Sequence, residues 1–173
     1  MDAIRHTVQG STRPWWTQLL AAAIEPGRSD TAALPRWLAM PLQQAQSLAQ
    51  LAARLYVARV FFLSGLTKIQ DWSVTLALFE DEYHVPGLPP ELAAYLGTGG
   101  ELLLPVLLAL GLAGRFGAAG LSVMNVVAVL SLSEIAPAAL VGHQLWGCLL
   151  AFLLLWGPGA WSLDGLLARR RQA

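Results

Sequence analysis

The sequence predicts an all-α membrane protein: a bundle of four transmembrane helices with both termini in the cytoplasm and a short C-terminal helix. Three observations predict it. Of 173 residues 55% are hydrophobic and 13% charged, and the mean hydropathy is +0.53; a soluble domain carries roughly twice that charged fraction. Apolar runs at 48–68, 91–112, 115–135 and 138–156 each approach the roughly 20 residues that cross a ~30 Å hydrocarbon layer as a helix. The arginines gather at Arg5, Arg13, Arg28 and Arg36, at Arg115 between the second and third runs, and at Arg169, Arg170 and Arg171, whereas the other two loops hold Lys68 as their only base. By the positive-inside rule both termini then face the cytoplasm, a result that an even number of spans satisfies.

Residues 1–47 read as a cytoplasmic tail, partly disordered or interfacial, broken by Pro14, Pro26, Pro35 and Pro41. Within it, Pro14 to Ile24 suits a short helix, and Trp15, Trp16 and Trp37 suit the headgroup zone or a partner's surface. No apolar segment with a cleavage site marks a removable signal, so an uncleaved first helix is expected to direct insertion. The membrane domain is placed at 48–168 and a basic tail at 169–173.

The first span, LAQLAARLYVARVFFLSGLTK, has Arg59 near its middle, with Arg54 close enough to its start to snorkel toward the headgroups. A charge at that depth costs from ~3 to above 10 kcal/mol and needs a counter-ion. In an antiparallel second span Glu101 comes to about the same depth, so an Arg59–Glu101 pair is the expected organising contact. The loop that follows Lys68 is acidic, and Trp72, Leu76 and Phe79 within it have helical spacing for a helix lying on the membrane surface. In the second span Ala94, Gly97, Thr98, Glu101 and Pro105 fall on one face of mostly small residues, and Pro105 leaves the Glu101 carbonyl without its helical donor. The third span opens with Gly117-Ala118-Ala119-Gly120, another close-packing surface, and brings Asn125 to mid-depth. After the fourth span Gly157-Pro158-Gly159 makes a turn, and Ser162 with Asp164 reads as the cap and first turn of the terminal helix.

Arg59, Glu101 and Asn125 therefore form the expected polar layer. It reads either as a clamp that fixes helix register or as a site for a quinone headgroup, or a proton path through Glu101. At the outer face Lys68, Glu82, His84, Glu134 and His143 form a second candidate cluster, but no pair has a recurrent ligand spacing, so no metal is assigned. Cys148 reads as a small buried hydrophobe. Nucleotide-binding glycine loops, CxxC pairs and a supported Ser/His/Asp arrangement are not found, and zero net charge argues against nucleic acid as a partner. These readings favour a protein that is not an enzyme on its own.

Several stretches together resemble the DoxX family of small bacterial membrane proteins. They are Arg59 to Lys68 (RVFFLSGLTK), Phe79 to Tyr83 (FEDEY), Gly100-Glu101 ahead of Leu103, Leu110-Gly111 ahead of Arg115, and Gly157-Pro158-Gly159 with Ser162 and Asp164. The resemblance spans about Arg54 to Leu167 and is strongest to a branch with an extended pattern, here VPGLPPELAAYL at Val85 to Leu96. It implies a four-helix bundle in the inner membrane, with the bilayer and proteins encoded nearby as partners, and it admits a homo-oligomer. Relatives are linked to quinone-coupled sulfur oxidation and oxidative-stress complexes, and this branch to proteins handling small metal-binding peptides. The resemblance thus implies an accessory subunit in redox or copper-stress physiology. The alternative is a quinone-interacting subunit of a membrane oxidoreductase, with quinone as its cofactor.

Overall fold

A computed structural model describes residues 36–170. Every regular element in this range is a helix: α1 Arg36–Gln70, α2 Trp72–Asp81, α3 Pro90–Leu110, α4 Gly114–Ser131, α5 Pro137–Trp156 and α6 Leu163–Arg170. Three of them, α3, α4 and α5, are long and apolar enough to cross a membrane. The helix expected at Pro14 to Ile24, with Trp15 and Trp16, lies outside the described residues.

The long helices touch in the order α1, α3, α4, α5, and α5 returns to α1. Contacts fix their directions. Lys68 of α1 meets Glu101 of α3, while Arg54 lies against Gly111 at the end of α3, so α1 and α3 are antiparallel. The core between the four helices is Val57 and Phe61 of α1, Leu108 of α3, Leu121 of α4, and Leu150 and Leu153 of α5. A smaller cluster of Phe79, Ala93 and Ala94 seats α2 on α3.

Local chemistry accounts for the boundaries. Asp71 caps α2 by accepting from the Val74 N–H at 3.1 Å. Gly111, at φ 64°, ends α3 in the left-handed conformation that glycine adopts at no steric cost. Ser162 accepts from the Gly165 N–H at 3.0 Å, which makes it the expected cap of α6.

The sequence boundaries move at two places. Helix α1 begins at Arg36, well ahead of Leu48, and carries Pro41 inside it. A proline so near a helix start costs one hydrogen bond in a turn where the others hold, so it does not end the helix. Helix α4 stops at Ser131, before Ile135, because Leu132 turns extended and pairs with Tyr83 in an antiparallel bridge, and the Ser131 carbonyl accepts from the His84 N–H at 2.8 Å.

The small-residue face of α3 packs inward as the spacing predicts, with Ala94, Thr98 and Pro105 buried. The outward faces are apolar: Leu103 and Val106 on α3, Phe116 and Val126 on α4, and Val141 and Leu155 on α5 are exposed. So extended an apolar surface belongs against lipid.

Candidate functional site: an amphipathic cavity at Lys68 and Glu101

Lys68 ends α1 and Glu101 sits in the middle of α3. The Lys68 ammonium donates to both Glu101 carboxylate oxygens, at 2.8 and 2.6 Å, and to the Ser64 hydroxyl at 3.0 Å. Its three protons are thus all engaged. Among the described residues this is the only salt bridge, and both side chains are largely shielded, at 16% and 13% exposure.

The pair lies on the wall of a cavity of about 260 Å³ between α1, α2, α3 and α4. Phe79, Leu96, Val123 and Met124 supply its apolar surface, and Tyr83 and Ser131 its other polar groups. Helix α2 forms the roof because it folds straight back from α1: the Thr75 hydroxyl donates to the Lys68 carbonyl at 2.7 Å. Beyond α2, the bridge to Leu132 fixes Tyr83 over the cavity, and its ring stacks at 5.0 Å on Phe79. Burial, then the negative charges of Glu101 and Glu82, push the Tyr83 phenol above its ordinary pKa. Tyr83 therefore stays protonated and presents a hydroxyl donor near the ion pair.

The expected Arg59–Glu101 pair does not form. Glu101 takes Lys68 instead, and the Arg59 side chain is exposed on the outer surface of α1. Two things separate Arg59 from Glu101: the acid lies level with Gly65, six residues or about 9 Å further along α1, and nine residues at about 100° each put Arg59 about 180° around α1 from Lys68. The equal depth expected of the two residues is not met, and direction around the axis was left out of that expectation. Asn125 joins neither residue. Its side-chain amide donates to the His143 carbonyl at 2.9 Å, and its Oδ1 lies 2.8 Å from the His143 Nδ1. With the amide so oriented, Nδ1 carries the proton and donates, and the contact ties α4 to α5.

The outer cluster is also dispersed. Glu82, His84 and Glu134 are exposed on the loops. His143 lies six residues into α5, about 9 Å along its axis, and turns toward Asn125. Lys68 is held in the cavity. Among the described residues no three His, Cys, Asp or Glu side chains come together as a metal site. Cys148 is exposed on α5, not buried.

Sequence reasoning missed the role of Arg54, which is 1% exposed and does not snorkel. Its guanidinium donates to the Trp161 carbonyl at 2.6 Å, while Gln50, one turn earlier, donates to the Trp156 and Gly157 carbonyls at 3.3 Å. The C-terminal turn is thus held against α1. A signal was present, since Gln50, Arg54, Val57, Phe61 and Lys68 follow the spacing of one helix face.

The family model DoxX matches residues 49–134, which contain α2, α3, α4, most of α1 and every wall of the cavity. No curated protein and no solved structure matches the chain. Helices long and apolar enough for a bilayer, arranged around the matched segment, agree with that result, and the chain belongs to the DoxX family.

Proposed function

We propose that this protein is an accessory subunit of a redox or copper-stress system in the bacterial inner membrane, and that its cavity holds a quinone headgroup. The observation that carries the reading is an apolar cavity whose polar groups, Lys68, Glu101, Tyr83 and Ser131, gather around one ion pair. At about 260 Å³ the space lies below the ~300–1,000 Å³ typical of sites for drug-sized ligands, so it suits a ring-sized headgroup with its tail outside. The Tyr83 hydroxyl has no hydrogen-bond partner among the described residues and is the donor free to meet a carbonyl oxygen. Lys68 and Glu101 hold a fixed dipole beside it, and the surrounding walls shield the pair from most of the solvent. A bound quinone would supply the redox chemistry; these residues bind and orient it.

The reading includes four spans with both termini inside. Helices α3, α4 and α5 are 21, 18 and 20 residues long. Helix α1 is the fourth span, and its charges are the only obstacle. Arg54 is buried against Trp161 and Lys68 is neutralised by Glu101, which leaves Arg59 alone on the outside. The cytoplasmic assignment of the α3–α4 turn and of α6 rests on Arg115, Arg169 and Arg170. The copper-stress setting, and a link to metal-binding peptides or to partners encoded nearby, rest on the sequence resemblance.

Purification in mild detergent followed by extraction and quantification of quinone tests the reading. The wild type is expected to retain quinone, and Tyr83→Phe and Glu101→Gln to lose it while remaining folded. A folded wild type free of quinone, whose fluorescence does not respond to added ubiquinone or menaquinone analogues, would leave the cavity as a structural clamp only.

A further inference from the structure

Arg59 lies on the wall of a second, shallower hollow of about 390 Å³ between α1 and α3. Leu55 and Phe62 of α1 and Pro105, Val106 and Ala109 of α3 line it, and Arg59 is the only charged residue among its walls. This is the face that the four-span arrangement turns toward lipid. No carboxylate answers Arg59. Glu101 is taken by Lys68, Asp164 is engaged by the α4 N-terminus, and the other described acids lie in α2 or its caps, at the start of α3 or in the α4–α5 loop, at the opposite end of the molecule.

The level of Arg59 narrows what can meet it. Arg54 marks the end of the helix bundle at the α3–α4 turn, and Arg59 is five residues, about 7.5 Å, further along α1. Long helix side chains lean toward the N-terminus of their own helix, which for α1 is the end that also bears Arg115, Arg169 and Arg170. The guanidinium therefore reaches toward the headgroups of that leaflet while its stem stays on the apolar wall. We propose that the α1–α3 hollow binds an anionic phospholipid of the cytoplasmic leaflet, with its phosphate on Arg59 and an acyl chain along Leu55, Phe62, Val106 and Ala109. The inference rests on the four-span topology but not on the quinone reading. A phosphate supplies the missing counter-charge, and an acyl chain covers the hollow without ordering a protein helix there.

The full chain in nanodiscs of phosphatidylcholine, with and without phosphatidylglycerol, tests this by native mass spectrometry. The wild type is expected to retain phosphatidylglycerol over phosphatidylcholine. Arg59→Gln should weaken that retention roughly fivefold, the scale of one basic residue near an anionic surface, and Arg59→Lys should restore much of it. Ala109→Trp, which fills the hollow and leaves Arg59 in place, should abolish it. Equal retention by wild type and Arg59→Gln, or unchanged retention by Ala109→Trp, would overturn the proposal. So would stabilisation by inorganic phosphate as large as that by the lipid, or a cross-link from Arg59→Cys to another protein helix in place of bound lipid. Topology is read separately by thiol labelling of Glu82→Cys from outside, so a failure there is distinguishable from a failure of lipid binding.

Discussion

Asp164 reaches back along the chain to Gly114: its carboxylate accepts the Gly114 N–H at 2.9 Å and the Ala113 N–H at 3.0 Å, while its own N–H donates to the Gly111 carbonyl at 3.0 Å. No side chain of α4 itself caps that helix start, so the cap comes from α6. The anion also lies where the positive end of the α4 dipole favours it. Removing the carboxylate with Asp164→Ala should cost about 1 kcal/mol, the usual worth of an N-cap. Hydrogen exchange at Ala113 and Gly114 should rise together with exposure of the Gly157 to Trp161 turn. If only the turn loosens, the cap is not what joins these segments.

The Lys68–Glu101 pair makes a separate prediction because each residue is shielded from solvent. Lys68→Met and Glu101→Gln should each destabilise the protein by about 2–3 kcal/mol, somewhat below the ~3–5 kcal/mol for breaking a fully buried pair, since both groups keep some exposure. Replacing both, as Lys68→Met with Glu101→Gln, should cost less than the sum, with a coupling of about 1–3 kcal/mol. Denaturation of the four proteins in one detergent measures it. Additive losses would mean that the two side chains do not act on each other.

Much of this arrangement was legible in the sequence, and the part that was not has more than one cause. Runs of apolar residues, Gly111 and Ser162 mark where α3 and α6 end or begin, and the small side chains from Ala94 to Pro105 mark the packed face. Direction around the axis does not enter a count of residues, and Arg59 points away from the face that Arg54 and Lys68 share. The two that share the Val57 and Phe61 face turn inward to Trp161 and Glu101, and the third turns out. The bridge between Tyr83 and Leu132 was hidden for a different reason: it joins two short loops that only the folded bundle brings together.

Helix α2, the roof of the cavity, should loosen in acid. Hydrogen bonds from the Ser73 hydroxyl and the Val74 N–H hold the Asp71 carboxyl below its ordinary pKa. The unfolded state then binds the proton more tightly than the folded one, so the cap contributes fully above the ordinary carboxylate pKa of about 3.9 and is lost as pH falls below it. Hydrogen exchange of α2 amides should accelerate over that range after correction for the intrinsic rate. In Asp71→Asn, which keeps an acceptor and cannot titrate, the acceleration should disappear. A profile that persists in the variant would assign the acid sensitivity to another group.

Two glycines on neighbouring helices should respond to alanine with opposite signs. At Gly117 an added Cβ would stand 3.3 Å from the Leu108 backbone nitrogen and 3.4 Å from the Leu104 carbonyl oxygen. Backbone cannot step aside as a side-chain end can, so Gly117→Ala must push α4 away from α3, and a loss of about 1–2 kcal/mol is expected from overpacking. At Gly99 nothing lies within 4 Å of the same atom. There Gly99→Ala meets no clash and should gain up to about 1 kcal/mol from helix propensity alone. Melting temperatures of the two variants in the same detergent check both. A stabilised Gly117→Ala would mean that α3 and α4 are further apart than these contacts place them.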